Sequence, residues 1–339
     1  MKLIKTEDAV GHVLCHDMTQ IIKDQYKDAR FRKGHVVTEE DIPVLLSMGK
    51  EHLYVWEMTS VMVHENDAAE RLLALCGQEN MIRSGVKEGK IELKAACDGV
   101  FLVDSARLVA VNSQDEVMIA TRKGGMAVRE GDKLAGMRVI PLIIEEEKLR
   151  KAEQAAGDKP LLSLKPYVRK TACIVATGGE VKKGLIKDTF TPVVIDKLKT
   201  YGIETLEVVY SGDGVENVRD AVLAMREKKP DMILCTGGMS VDPDDNTPGG
   251  IKAAGANIIA YGAPVLPGAM FLLGYFDDGM PVMGLPGCVM YAGATVFDLV
   301  LPKIAADVPV TRADLAALGE GGLCLGCKPC HYPICPFGK

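Results

Sequence analysis

The chain has 339 residues, of which 47% are hydrophobic and 25% charged; this fits two or three packed domains and excludes wholesale disorder. A net charge of −6 supplies no basic field for nucleic acid, so an anionic ligand has to be held by local donors. Aromatic residues are only 5%, which leaves the core to Val, Ile, Leu, Met and Ala, and no uninterrupted apolar segment approaches membrane-spanning length.

The first residues, MKLIKTEDAVGHVL, lack the long apolar core of a signal peptide, and the expected compartment is the cytoplasm. Residues 1–60 are expected to form a mixed α/β region. Within it EEDIPVLLSMG (39–49) has helical spacing at Ile42, Leu45 and Leu46 and closes at Gly49, while HLYVWEM (52–58) alternates like a strand. Residues 61–150 read as a helix followed by a small β-rich domain. AAERLLALCGQ puts Leu72, Leu73, Leu75 and Cys76 on one broad face, so a helix is expected across about 60–87. IELKAA, GVFLVD, RLVAVN, EVMIATR and MRVIPLII then predict short strands, punctuated by Asp98-Gly99, Gly124-Gly125 and Gly131-Asp132. The polar stretch EEEKLRKAEQAAGDKP (145–160) is read as a helix end plus linker.

From about 165 to 310 strands and helices alternate. TACIVAT (171–177), IETLEVVY (203–210), DMILCT (231–236), ANIIAYG (256–262) and PVMGL (281–285) read as strands. KDTFTPVVIDKLKTYG, GVENVRDAVLAMREKK and MYAGATVFDLVLPKIA read as helices. Such alternation predicts an α/β fold with a doubly wound, mostly parallel sheet. In sheets of this kind ligands bind beyond the carboxyl ends of the strands, which here end in Thr177-Gly178-Gly179, Thr236-Gly237-Gly238 and Leu285-Pro286-Gly287. Two glycines after a buried strand allow backbone N–H groups to approach a ligand, and Thr236, Ser240 and Thr247 add hydroxyls. The same dipeptides also serve as plain tight turns. Asp242, Asp244 and Asp245 follow the second pair. They suit Mg²⁺, or the N–H groups of a heterocycle, or the cap of a helix near Pro248; capping or solvent exposure is preferred for Asp244, and function for Asp242 and Asp245.

These residues carry a resemblance. TGGMSVDPDDNT (236–247) resembles the pterin-binding signature of the molybdopterin-binding proteins of molybdenum cofactor biosynthesis, of both the adenylyltransferase and the molybdenum-insertase (molybdopterin molybdenumtransferase) type. TGGEVKKGLIKDT (177–189) is similar to the family's first loop at Glu180, Gly184, Ile186, Asp188 and Thr189. APVLPGAMF (263–271) and GLPGCVM (284–290) match its third and fourth rim segments, and the four segments fall in order across 171–305. DAVGHVL (8–14) and GHVVTEEDIPVLLSMG (34–49) resemble the insertase family's flanking domains more loosely. The resemblance implies a molybdopterin-binding α/β domain at 165–310, whose ligand is a pyranopterin dithiolene bearing a terminal phosphate. It implies binding roles for Thr177, Gly178, Gly179, Glu180, Thr189, Thr236, Gly237, Gly238, Met239, Ser240, Thr247, Pro267, Gly268, Pro286, Gly287 and Cys288. It implies catalytic roles for Asp188, Asp242 and Asp245, with Mg²⁺ and molybdate as further ligands. The implied activity is molybdenum insertion into free or adenylylated molybdopterin; the alternative is a non-catalytic carrier that delivers cofactor to a client molybdoenzyme. A homo-oligomer is expected, with neither nucleic acid nor membrane as a partner.

The sequence departs from the insertase pattern in three places. Pro267-Gly268-Ala269-Met270 stands where the family has Pro-Gly-Lys-Pro, which removes a cation from the oxyanion's surroundings. Cys288-Val289 replaces Asn-Pro, and the N-terminal Met-Asp-Gly-Tyr-Ala motif is absent. Cys288 is either a thiol at the site or a small buried apolar residue.

The last region, 311–339, is read as a short helix and a cysteine-rich tail. Six of the ten cysteines are scattered, whereas Cys324, Cys327, Cys330 and Cys335 follow a C-x2-C-x2-C-x4-C pattern. The pattern resembles a bacterial ferredoxin run and suits an iron–sulfur cluster or Zn²⁺ in a reducing compartment; His331 is an alternative ligand. Because the tail follows a glycine run, it is expected to be a mobile appendage of the pterin domain.

Overall fold

The structure, a computed structural model, describes residues 2–22, 26–56, 62–240 and 245–339. Asp242 and Asp244 therefore lie outside the described residues, as do 57–58 at the end of the expected strand 52–58. The chain forms two compact units. The first comprises Met1–Ala96, Val103–Gly124 and Gly131–Ser163; the second comprises Cys97–Leu102, Gly125–Glu130 and Leu164–Lys339. No helix among the described residues is long and apolar enough to cross a membrane.

In the first unit His52–Trp56 pairs antiparallel with Lys2–Lys5 on one side and Val13–Leu14 on the other. The helix Asp41–Ser47 closes over this sheet with Leu45 fully buried, and Gly49 follows it at φ +73°. Further along, a four-stranded sheet runs in the order Val117–Thr121, Lys133–Val139, Ile91–Ala95, Met81–Arg83.

Three elements differ from expectation. The helix expected across 60–87 spans only Glu65–Leu75, because the chain turns extended at Cys76. RLVAVN is not a strand: Ser105–Asn112 is a helix. The Asp104 carboxylate accepts the Arg107 N–H at 3.1 Å, and this cap outweighs the β-branched content behind it. The supposed linker is a three-turn helix, Glu146–Ala156, ended by Gly157 at φ +62°. It buries Leu149, Ala152 and Ala156, an i, i+3, i+7 stripe that the charged residues around it conceal. Arg71 fixes the helix by donating to Glu153 at 2.7 and 2.9 Å and to Glu146 at 2.6 Å.

The second unit is built on a six-stranded sheet ordered Glu204–Ser211, Thr171–Thr177, Met232–Thr236, Pro281–Leu285, Leu272–Tyr275, Asn257–Tyr261. The first four strands are mutually parallel; Leu272–Tyr275 runs antiparallel to both of its neighbours. Both faces are covered, which explains why the central strands read as continuous apolar runs. On one face Ile174, Leu234 and Met283 pack with Val194, Leu198, Phe297 and Leu301. On the other, Cys173, Val175 and Cys235 pack with Val218, Val222 and Ile251. The Cys235 thiol is pushed up to about 12 by burial, so it is an inert core residue. The chain passes from Thr171–Thr177 to a neighbour on one side and then to one on the other. The loops after Thr177 and Thr236 therefore flank a topological switch point, where such sheets open a crevice.

Candidate functional site

The ends of Thr171–Thr177, Glu204–Ser211, Met232–Thr236 and Pro281–Leu285 form one rim, since these strands are parallel and adjacent. Its centre is a pair of threonines. The buried Thr177 hydroxyl donates to the Thr236 carbonyl at 2.9 Å, and the buried Thr247 hydroxyl donates to the Gly237 carbonyl at 2.9 Å. The two hydroxyls also meet at 3.0 Å, so two protons are shared among three contacts. Thr247 opens the helix Thr247–Ala253, and its N–H donates to the Gly238 carbonyl. The first and second glycine loops are thereby tied into one body.

The glycines have a reason of their own within this body. Gly237 and Gly238 sit at φ +82° and +56°. A Cβ at Gly237 would fall on the Thr177 carbonyl oxygen, and one at Gly238 would stand 2.6 Å from the Thr247 hydroxyl. In the first loop Gly178 has φ +139°, and a Cβ at Gly179 would stand 2.7 Å from an Asp213 carboxylate oxygen. That same oxygen accepts the Gly179 N–H at 3.0 Å. Asp213, in the loop after Glu204–Ser211, was not apparent from the sequence; its Gly-Asp-Gly setting reads only as a helix start.

The remaining expected residues divide by environment. Met239 is 4% exposed and packs into the gap left by Gly284, so only its backbone reaches the rim. Its carbonyl accepts from the Tyr261 hydroxyl at 2.9 Å. Asp245 accepts the Ser240 N–H at 2.9 Å. Glu180 is exposed on the helical turn Gly179–Lys182. Thr189 donates to the Met290 sulfur at 3.1 Å, joining the first and fourth segments. Gly268, at φ +131°, lies against Val296, and the Pro267 carbonyl accepts the Val296 N–H. Pro286 is buried and Gly287 exposed. Cys288 is half-buried, and that burial pushes its thiol up.

Asp188 is engaged locally. Its Oδ1 accepts the N–H groups of Phe190 at 2.9 Å and Thr191 at 3.0 Å, at the start of the helix Phe190–Lys199, and the Tyr210 hydroxyl donates to Oδ2 at 3.3 Å. Partial burial pushes the carboxyl up, but the hydrogen bonds from Thr191, Phe190 and Tyr210 outweigh it and hold the group below its ordinary value. The stabilisation is thus complete above the ordinary carboxylate range and is lost as pH falls through the lowered value. Asp188→Ala is expected to cost about 1 kcal/mol, and Asp188→Asn only a few tenths, because Asn caps nearly as well. Urea denaturation at neutral pH checks this; equal losses for the two variants would contradict the capping role.

The rim's chemistry suits a polar anion. Threonine hydroxyls and backbone N–H groups hold its loops together, and the first loop supplies Lys182, Lys183 and Lys187, all exposed. Lys182 runs past Gly212 at the end of the neighbouring strand, its Nζ 3.8 Å from the Cβ position there. The motifs did not single these lysines out; the signal that marks them is a basic run beside a glycine turn. A surface cavity of about 620 Å³ lined by Ile195, Thr205 and Leu206 lies along the outer edge strand and involves none of the rim residues named here.

The tail thiols do not form a centre. Among the described residues no three His, Cys, Asp or Glu side chains are grouped to hold a metal ion. Cys324 and Cys335 are half-buried, and Cys327 and Cys330 exposed. Nor is the tail a free appendage. The Leu266 N–H donates to the Gly322 carbonyl and the Cys324 N–H to the Leu266 carbonyl, both at 2.8 Å. The Tyr332 hydroxyl donates to the Asp298 carbonyl at 2.9 Å, and Phe337 is 2% exposed within the core. The aromatic residues near the terminus anchor what the glycine run suggested was mobile.

Residues 173–306 match the family described as "Probable molybdopterin binding domain", and residues 3–57 match a "Domain of unknown function (DUF8806)". A CinA-like protein of Mycobacterium tuberculosis is 33% identical over 76 residues, which is 22% of this chain and 18% of that protein. The chain thus spans about a fifth of the length of the curated relatives it matches. Among solved structures, the protein CinA from Thermoplasma acidophilum is 18% identical, with 40% of this chain and 98% of that chain covered and a TM-score of 0.35. The molybdopterin biosynthesis MoeA protein from Pyrococcus horikosii is 16% identical, with 76% and 82% covered and a TM-score of 0.35. Residues 173–306 thus match the molybdopterin-binding domain family, and the match takes in the loops after Thr177, Thr236 and Leu285.

Proposed function

We propose that the chain binds molybdopterin, free or adenylylated, at the threonine–glycine rim and holds it as a carrier in molybdenum cofactor biosynthesis. The observation that carries this reading is the Thr177–Thr247 pair, which locks both glycine loops at the switch point of the sheet. The exposed lysines of the first loop suit the ligand's phosphate, and the threonine pair keeps the glycine loops beside them in place. Lys182 supplies the cation that Ala269 removes from the third segment. Carriage is favoured over chemistry because Asp188 and Asp245 both accept backbone N–H groups of their own loops. Molybdenum insertion, with Mg²⁺ and molybdate as co-ligands, is the second reading. Asp245 beside Ser240, with Asp242 three positions before it in the sequence, favours it.

The same proposal includes a cytoplasmic setting, a homo-oligomer and a client molybdoenzyme that accepts the cofactor. It also includes metal binding by the tail thiols, as zinc or an iron–sulfur cluster, which the C-x2-C-x2-C-x4-C spacing supports. Lys182→Ala tests the ligand assignment without touching the core, since Lys182 is exposed. Affinity for molybdopterin, read by equilibrium binding, is expected to fall about tenfold, the loss of one charge-assisted contact. Absence of binding by the wild-type chain refutes the reading. Metal insertion by the purified chain supplied with molybdate would establish the second one.

A further inference from the structure

After Gly238 the second glycine loop is held at three points. The Met239 side chain is 4% exposed and fills the space left by Gly284, its Sδ and Cε 2.6 Å from where a Cβ would stand there. The Met239 carbonyl accepts from the Tyr261 hydroxyl at 2.9 Å, and the Ser240 carbonyl meets the same hydroxyl at 3.4 Å. The Ser240 N–H donates to the Asp245 carboxylate at 2.9 Å. The Ser240 backbone is therefore held on its N–H side by Asp245 and on its carbonyl side by Tyr261, while Ser240 itself is exposed at the rim.

Tyr261 lies outside the loop it holds, 22 positions after Met239. It is the last residue of Asn257–Tyr261, an edge strand of the six-stranded sheet. That strand and Pro281–Leu285 each run antiparallel to Leu272–Tyr275 between them, so they are parallel to each other. The carboxyl end of Asn257–Tyr261 therefore comes out at the same rim as the other parallel strands. Tyr261 is 45% exposed, so its bonds to the loop are not a by-product of a ring buried in the core. Partial burial and the neighbouring Asp245 carboxylate push the phenol up, which keeps its hydroxyl a donor at neutral pH.

We infer that Tyr261 is a positioning residue for ligand binding: its hydroxyl fixes the Met239–Ser240 backbone, from which the Ser240 hydroxyl is presented to the ligand. This rests on the reading of the rim as the molybdopterin site. Tyr261 acts through Ser240 and does not itself touch the ligand. Without its hydroxyl the two carbonyls turn to water, and the segment after Gly238 has to be ordered by the ligand at the moment of binding. The loss then falls on affinity and depends on the serine hydroxyl being there to be positioned.

Equilibrium binding of molybdopterin to the full-length chain is measured for wild type, Tyr261→Phe, Ser240→Ala and the double variant. Tyr261→Phe keeps the ring and the strand's preference for aromatic residues, and is expected to weaken binding about tenfold. Ser240→Ala should weaken it by a similar factor. The double variant should bind no more weakly than Ser240→Ala alone, because nothing is left for Tyr261 to position; a merely structural role would make the two losses multiply. Tyr261→Leu should lose at least as much as Tyr261→Phe. Wild-type affinity in Tyr261→Phe, or losses that multiply in the double variant, overturns the positioning role. Affinity kept in Tyr261→Phe and lost in Tyr261→Leu assigns the effect to the ring and overturns it equally. A wild-type chain that binds no molybdopterin overturns the reading of the rim, and the positioning role with it.

Discussion

Gly237→Ala is expected to destabilise the second unit by on the order of 3 kcal/mol or more, enough to leave much of it unfolded. Two costs add at this position. The residue sits at φ +82°, in the left-handed region that an alanine enters only with strain. Its Cβ would fall on the Thr177 carbonyl oxygen, and that backbone is fixed in a strand paired on both sides. Gly238→Ala should cost less, about 1–2 kcal/mol, because its φ of +56° is tolerable and its obstacle is the Thr247 hydroxyl. The double variant Gly238→Ala with Thr247→Ala should regain part of the clash energy while losing the hydroxyl's bond to Gly237. The chain's single tryptophan, Trp56, lies in the first unit, so its fluorescence is blind to this transition. Hydrogen exchange of the amides of Thr171–Thr177 reports it directly. Protection equal to wild type in Gly237→Ala would contradict the packing described for the loop. A loss of ligand binding in either glycine variant is therefore ambiguous, which is why the exposed Lys182 is the cleaner probe.

The parallel sheet was legible because its strands are buried on both faces and separated by helices of clear period. TACIVAT and DMILCT carry Thr or Asp only at their first and last positions and are apolar between. Leu272–Tyr275 was not legible. It has no helix between it and Pro281–Leu285, and its residues, just after the third rim segment 263–271, were assigned to no element. Ser105–Asn112 was misread because β-branched residues signal a strand, and the Asp104 cap that overrides them was not weighed. At the rim the glycines were found by type and place, but the partner they pack against was not. The Thr177–Thr247 contact spans 70 positions of sequence and leaves no local pattern. Asp188 is a different case: a carboxylate two positions before Phe190–Lys199 is a cap signal in plain sequence, and the resemblance adds to it a catalytic role that local hydrogen bonds do not address.

Removing residues 323–339 is expected to destabilise the second unit by several kcal/mol, contrary to the reading of the tail as an appendage. Phe337 contributes most. It is 2% exposed and lies in the same core as Phe297 and Leu299, so truncating a side chain so placed costs about 3–5 kcal/mol. The deletion also strips the Asp298 carbonyl of the Tyr332 hydroxyl and leaves Leu266 without the Cys324 N–H, each about 1 kcal/mol. Part of this is recovered, because the chain lost is short and its ordering entropy is no longer spent. The check is denaturant unfolding of full-length and truncated protein, followed through the exchange of amides in Val296–Ala305. An unchanged midpoint would return the tail to the status of an appendage. Phe337→Ala should reproduce most of the loss without shortening the chain. A synthetic peptide of residues 323–339 added to the truncated protein should restore stability in proportion to its occupancy, since a segment that binds only the folded unit stabilises it by mass action. Recovery with that peptide and none with its Phe337→Ala form would identify docking through this side chain as the source of the stability.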